Sequence, residues 1–419
     1  METHLAAFVR DTPAGREAEA ILRRCVHCGF CTATCPTYQL TGDELDGPRG
    51  RIYLIKQLLE TGTAGITTRR HLDRCLSCRA CETSCPSGVE YGRLLDIGRA
   101  TLASRRPRRG PDRWVRALLR WLLPGRRAFA SVLVAGRLLR PLLPAPLRAR
   151  VPESCAAGER PVPRHARGVL MLEGCVQPAM RPAINAATAR VLDRIGISVL
   201  PVAQAPGAGC CGALRLHLDD LEGARADARR NIDAWWPAIE AGAEAIVITA
   251  SGCGVQVKDY GHLLADDPRY GARAARIAAL ARDVSEVVAA EQARLQECLR
   301  AGTAGAAPAR LAFHSPCTLQ HGQRIRGTVE ALLQAAGFAL TPVVDAHLCC
   351  GSAGAYSLLE PGLSVRLRDA RLAALQGGAP GVIASANIGC IAHLQSGSAL
   401  AVRHWVELLD ERLTAAERR

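Results

Sequence analysis

CVHCGFCTATCP at residues 25–36 and CLSCRACETSCP at residues 75–86 are two copies of one run, C-x2-C-x2-C-x3-C-P. That spacing holds a [4Fe–4S] cubane. Three thiolates with two residues between them wrap a short loop around three iron corners. The fourth opens a new segment and reaches the other cluster. The ligand sets expected are therefore Cys25, Cys28, Cys31 and Cys85 for one cubane, and Cys75, Cys78, Cys81 and Cys35 for its neighbour. Pro36 and Pro86 turn the chain away and offer no N–H. Zinc takes separated C-x2-C pairs and disulfides need an oxidising compartment, so neither accounts for a duplicated eight-cysteine pattern. The chain reads as a carrier of single electrons.

Outward from these runs, 419 residues are enough for two or three domains with sizeable cores. Eighteen cysteines in so long a chain are not a disulfide scaffold. The opening METHLAAFVRD carries Glu2 and Asp11 and no long apolar core, which is unlike a secretory signal and points to the cytoplasm. The net charge of +14 is local: residues 99–150 hold fourteen arginines against one acid, Asp112. There Trp114, Leu118 and Trp121 alternate with Arg113, Arg116 and Arg120, and no apolar run reaches the ~18 residues that span a bilayer. The composition suits a helix lying on an anionic membrane surface or on a partner, with a plain linker as the simpler reading. No nucleic-acid motif accompanies the charge, and no nucleic-acid partner is expected.

Between the cysteine runs the pattern is helical, with Ala14–Arg24 leading into the first and Arg49–Glu60 following it. A helical two-cluster ferredoxin module results, resembling the cluster-carrying domain of respiratory dehydrogenase iron–sulfur subunits. From about residue 166 the pattern becomes α/β and repeats. Val169–Leu172, Ser198–Val202 and Ala245–Thr249 read as strands in the first copy, Leu311–Phe313 and Val382–Ala384 in the second. Gly271–Ala307 reads as a helix and connector. Each copy offers four cysteines: Cys175, Cys210, Cys211 and Cys253, then Cys317, Cys349, Cys350 and Cys390. The Cys-Cys-Gly steps resemble the cysteine-rich CCG domain of heterodisulfide reductase and related subunits. The fullest form of that pattern ends in C-x2-C, and here Ala250 and Asn387 replace its first cysteine. These eight residues are candidates for a further metal or cluster, for redox-active thiols, or for purely structural cysteines. His314, His347 and His393 lie near the second set and are not assigned as ligands. Cys155 and Cys298 fall outside every motif.

The fold class expected is an α+β multidomain chain: a helical ferredoxin-type domain at 1–104, an Arg-rich amphipathic connector at 105–165, and homologous α/β CCG domains at 166–300 and 301–419. CVHCGFCTATCPTYQLTGDELDGPRGRIYLIK, CLSCRACETSCPSGVEYGRLLDIGR, ASGCGVQVKDYG and HLCCGSAGAYS resemble the iron–sulfur subunits of glycolate oxidase (glycolate dehydrogenase). The resemblance implies FAD-containing dehydrogenase subunits as partners, which oxidise glycolate to glyoxylate. It further implies electron passage through two [4Fe–4S] clusters to a membrane acceptor, the quinone pool, from a peripheral position on the inner face of the membrane. The chain itself shows no G-x-G-x-x-G after a strand, GAGCCG at 207–212 being cysteine-bearing, and no nucleophile set. No catalytic residue is assigned. Clusters accept single electrons, so a flavin on another chain must split the hydride pair. Alternatives are a lactate or glycerol 3-phosphate dehydrogenase subunit, or a thiol/disulfide enzyme like heterodisulfide reductase.

Overall fold

A computed structural model describes residues 1–142, 144, 148, 151–202, 208–300 and 309–417. Gly207 of the GAGCCG run, Arg150 of the basic stretch, residues 301–307 of the expected connector and the boundary at residue 301 lie outside the described residues.

The N-terminal part is helical. Thr12 caps the helix Pro13–Arg24, its hydroxyl accepting from the Gly15 amide at 3.0 Å. Pro48 starts the helix Pro48–Thr61 and Gly62, in the left-handed conformation, closes it. Ile21, Leu22, Ile55, Leu58, Leu94 and Leu95 of these two helices and of Tyr91–Arg105 form one buried core. That core sets the two cysteine loops side by side at one end of the helices.

The remainder holds two sheets of one topology. Strands β1 (Gly168–Leu172), β2 (Ser198–Val199), β3 (Ile246–Ile248) and β4 (Ala281–Asp283) run in the order β2-β1-β3-β4. Strands β5 (Ala309–His314), β6 (Phe338–Leu340), β7 (Val382–Ser385) and β8 (Val402–His404) repeat it as β6-β5-β7-β8. Every pairing is parallel. The apolar runs of β1 and β3 are buried, as a sheet covered on both faces requires. The segment expected as a connector contains strand β4, whose register pairs Ile246 with Ala281 and Ile248 with Asp283. Ala281-Arg282-Asp283 is too short and too polar to announce a strand, and Asp283 doubles as the capping-box residue of the next helix.

The two repeats interlock. A single apolar core runs from Val169 and Ile184 to Val402 and Trp405. The C-terminal helix Trp405–Glu417 packs on the first repeat's helix Ala183–Arg194, where Asp410 pairs with Arg190 and Arg194, each at 2.6 Å. The His404 ring bonds the Thr249 carbonyl at 2.8 Å, and the Ser251 amide donates to the Ala386 carbonyl at 3.1 Å. These contacts place the carboxyl ends of β3 and β7 against each other. In open α/β sheets that edge is where ligands bind.

Each Cys-Cys-Gly step has a backbone reason for its glycine. Gly212 (φ 90°) and Gly351 (φ 87°) are left-handed. A Cβ on them would stand 2.9 Å from the Ala224 carbonyl oxygen and 2.6 Å from the Ser364 carbonyl oxygen. Gly351→Ala is expected to cost about 1–3 kcal/mol through strain and overpacking, read as a lower denaturation midpoint at unchanged secondary structure.

Candidate metal centres and the cleft beside them

The two cysteine loops share one backbone device. His27 and Gly29 flank Cys28 with positive φ (55° and 85°), and Ser77 and Arg79 flank Cys78 likewise (51° and 59°). Two left-handed residues around the middle cysteine coil each loop inward, so its three thiols converge. The thiols border two cavities. One is lined by Cys25, Cys28, Cys31 and Cys85, with Cys81 also in its wall. The other is lined by Cys35, Cys75, Cys78 and Cys81. The fourth cysteine of each run thus sits with the other run's three.

The surroundings differ. Cys28 is exposed, and beside it Val26 and Phe30 are 68% and 64% exposed. The second set is the more buried, with Cys35, Cys75 and Cys81 buried and Cys78 half-buried. Arg51, 1% exposed, lines its cavity and donates to the Cys35 sulfur at 4.0 Å, to Thr37 Oγ1 at 3.1 Å and to the His71 carbonyl at 2.7 Å. Asp46 balances it, pairing also with His71 at 2.7 Å and Arg74 at 2.9 Å. The Tyr91 hydroxyl donates to the Cys75 sulfur at 3.5 Å. A cationic group and a hydroxyl aimed at sulfur stabilise negative charge there.

Burial raises the Cys25 thiol and lifts Cys31 to about 11, with Cys25 and Cys85 adding to the effect on Cys31. Burial pushes Cys78 and Cys81 well up. Without a cation these thiols keep their protons. Metal ions supply the missing positive charge and release the protons on binding. Two four-thiol sets of this composition fit iron–sulfur clusters by donor type and number.

In the first repeat, the thiols of Cys175, Cys210, Cys211 and Cys253 touch in that order; hydrogen bonding to Cys210 raises Cys175, and the same bond lowers Cys210. In the second, Cys317 and Cys349 are 3.8 Å apart, and Cys350 bridges Cys349 to Cys390. Asn387, at one of the two substituted positions, donates to the Cys390 sulfur at 3.4 Å and accepts from the Gly252 amide at 3.4 Å. The residue replacing a cysteine therefore serves the seam between repeats. Cys298 donates to the Arg194 carbonyl, away from every set.

One cleft joins both repeats. It encloses about 2480 Å³, part of it open to solvent, and Cys175, Cys211, Cys253, Cys317, Cys349 and Cys390 all line it. Leu123, Phe129, Val132 and Leu133 close one side. Leu76 beside Cys78 packs in one buried cluster with Cys349 and Tyr356, so the second cysteine loop abuts the second repeat's thiols. Asp96 and His217 also reach the cleft. Burial raises Asp96 to about 6 and lowers His217 to about 4. Neither belongs to a motif; only the fold brings them there.

The basic stretch divides. Arg108 bonds Asp73, Asp112 and Asp219, and Arg116 bonds Asp112, tying the cysteine-loop region, the connector and the first repeat together. The helices Pro111–Leu122 and Arg126–Leu138 keep large apolar side chains outside, with Trp114 at 70% and Trp121 at 64% exposure. No helix among the described residues is long and apolar enough to cross a membrane.

Arg51 is the buried charge on which the second cavity's wall rests. Arg51→Met is expected to lower stability by about 3 kcal/mol, because buried Asp46 loses its one fully buried cationic partner and the Cys35 sulfur loses its guanidinium donor, measured by anaerobic urea unfolding.

Comparison with known proteins agrees with this layout. The 4Fe-4S dicluster domain family matches residues 21–89, and the cysteine-rich domain family matches 169–258 and 311–395. The glycolate oxidase iron-sulfur subunit of Escherichia coli (strain K12) is 53% identical over 414 residues, covering 99% of both chains. A protein named probable glycolate oxidase iron-sulfur subunit in Bacillus subtilis (strain 168) is 30% identical over 91% of this chain and 90% of its own. Lactate utilization protein A of an Exiguobacterium species is 27% identical over 58% of this chain and 97% of its own. With both cysteine architectures matched and the likeness running from end to end, the chain belongs to the family of glycolate oxidase iron–sulfur subunits, components of an oxidoreductase.

Proposed function

We propose that this chain takes electrons from flavin on FAD-containing dehydrogenase subunits that oxidise glycolate, carries them through two [4Fe–4S] clusters, and delivers them to a quinone at the membrane surface. The observation that carries this reading is the sequence of sites: a thiol set that reaches the surface at Cys28, a more buried thiol set, then a largely apolar cleft walled by thiols. Cys25, Cys28, Cys31 and Cys85 would hold one cubane, and Cys35, Cys75, Cys78 and Cys81 the other. Bound there, each takes up and releases one electron at a time.

The chain's own residues do the rest. Val26 and Phe30 frame the exposed set with apolar surface of the kind a partner subunit covers. Arg51 and Tyr91 stabilise charge at the more buried set. Leu76 packs with Cys349 and Tyr356 where the second cysteine loop meets the cleft. Of the sixteen large apolar side chains that stand exposed among the described residues, nine lie between Trp114 and Leu142. Val132 belongs both to that surface and to the cleft wall, so the cleft opens where a lipid-soluble acceptor would arrive. Arginines on the same segment suit anionic headgroups. Reducing a quinone to its quinol takes two electrons and two protons, and Asp96 in the cleft wall can carry a proton near neutral pH. The higher identity and coverage of the glycolate relative favour glycolate over lactate as the donor.

The test is to reduce the anaerobic complex with glycolate and follow paramagnetic resonance: two interacting cluster signals are expected. Clusters that stay oxidised while flavin turns over overturn the proposal. Phe30→Asp is expected to weaken flavoprotein binding by about tenfold, measured by surface plasmon resonance, with iron content unchanged.

A further inference from the structure

The two repeats are not chemically equal. Strand β1 ends at Leu172 and β5 at His314; Cys175 and Cys317 each follow three residues later. Leu172 and His314 hold the same place in the duplicated topology, paired with the ends of β3 and β7. The leucine shows that this position needs no polar group to fold. His314 nevertheless stands there, 2% exposed.

Its ring is half satisfied. Nδ1 bonds the Ser385 hydroxyl at 2.9 Å, whereas Nε2 is buried with no hydrogen-bond partner. An unpaired buried nitrogen is destabilising, a cost its leucine counterpart avoids. One ring nitrogen and the sulfurs of Cys350 and Cys390 all lie within 4.8 Å of one another. Because Nδ1 is taken by Ser385, Nε2 is the nitrogen left for a ligand. In the tautomer with hydrogen on Nδ1, the Ser385 oxygen accepts and Nε2 presents its lone pair, the arrangement by which a neighbouring group orients a metal-binding histidine.

The spacing identifies the kind of centre. Around a single zinc ion, bonds of ~2.3 Å to sulfur and ~2.0 Å to nitrogen put tetrahedral ligand atoms about 3.5–3.8 Å apart. A cubane holds its thiolates farther apart, and among the described residues no three of the N-terminal cysteines crowd within 4.8 Å of one another. The second repeat's donors do crowd, and Cys317 and Cys349 stand 3.8 Å apart beside them. The first repeat forms no such group among the described residues.

We propose that His314 Nε2, Cys350 and Cys390 bind one thiophilic divalent ion, zinc by its chemistry, with the adjoining Cys317–Cys349 pair supplying the fourth position. Mixed imidazole and thiolate donors in a closed tetrahedral set suit zinc. Binding deprotonates the thiols and releases those protons to solvent; no electron moves. Cys390 also lines the cleft, so the ion sits in its wall and fixes the second repeat's thiols relative to the Leu76 contact. The site goes beyond the electron-transfer reading and does not depend on it.

The test uses the full-length chain purified anaerobically, with zinc, iron and acid-labile sulfide measured on one sample and zinc-edge X-ray absorption for the ligand shell. About one zinc per chain with mixed nitrogen and sulfur scattering is expected. His314→Leu, the first repeat's own residue, is expected to weaken zinc binding about tenfold or more by chelator competition while iron and sulfide stay level. His314→Cys is expected to retain zinc and lose the nitrogen shell, which separates ligation from folding. Zinc absent from the wild-type protein, an all-sulfur shell, or loss of iron and sulfide instead of zinc in His314→Leu each overturns the proposal. Failure of glycolate to reduce the clusters would leave this result untouched.

Discussion

The convergence of two cysteine loops on shared cavities, each loop lending its last thiol to the other's set, is the constraint from which the N-terminal half of the molecule follows. Buried thiols keep their protons and pack poorly as a polar cluster unless a cation replaces the hydrogen. Everything around them serves to hold that arrangement open. The helices Pro13–Arg24, Pro48–Thr61 and Tyr91–Arg105 supply an apolar base, and paired left-handed residues coil each loop. Arg51, its charge balanced by Asp46 behind it, then walls the inner cavity. A metal charge introduced there would meet donors already oriented towards sulfur.

Duplication supplies the second constraint. Two parallel sheets of identical strand order would present two separate cysteine edges, but here the edges face each other across one cleft. The C-terminal helix crosses to the first repeat, and His404 and Ser251 stitch the strand ends together. At that seam Asn387 holds Cys390 on one side and Gly252 on the other. The departure from the full C-x2-C pattern is therefore a trade of one sulfur for a contact between repeats.

Much was legible in advance because cysteine chemistry is local. The spacing within each run dictates how many thiols one loop can direct at one cage, and the glycine after each cysteine pair announces a left-handed turn. The amphipathic helices and the duplication also showed plainly, since their periods are short and their residues distinctive. Strands β4, β6 and β8 did not show. Each is three residues long, and Ala281-Arg282-Asp283 and Val402-Arg403-His404 owe their strand character to the neighbours they pair with. The arginine stretch misled in part. Arg108 and Arg116 look like the rest of a solvated basic face, yet they are anchored to Asp219, over a hundred residues away, and to Asp73, thirty-five and forty-three residues back along the chain.

Taken alone, the sequence determined the donor atoms: which thiols exist, in what local groups, on a chain without an organic cofactor motif. It could do so because ligand spacing and turn chemistry act over a few residues. Only the tertiary structure decided the partners of those groups. It placed Cys78 and Leu76 against the second repeat, joined two cysteine edges into one cleft, and set the His314 ring beside Cys350 and Cys390 with its Nε2 lacking a hydrogen bond. Those relations span from about forty to nearly three hundred residues of chain. They depend on packing of whole helices and sheets, for which no local pattern of residues stands in.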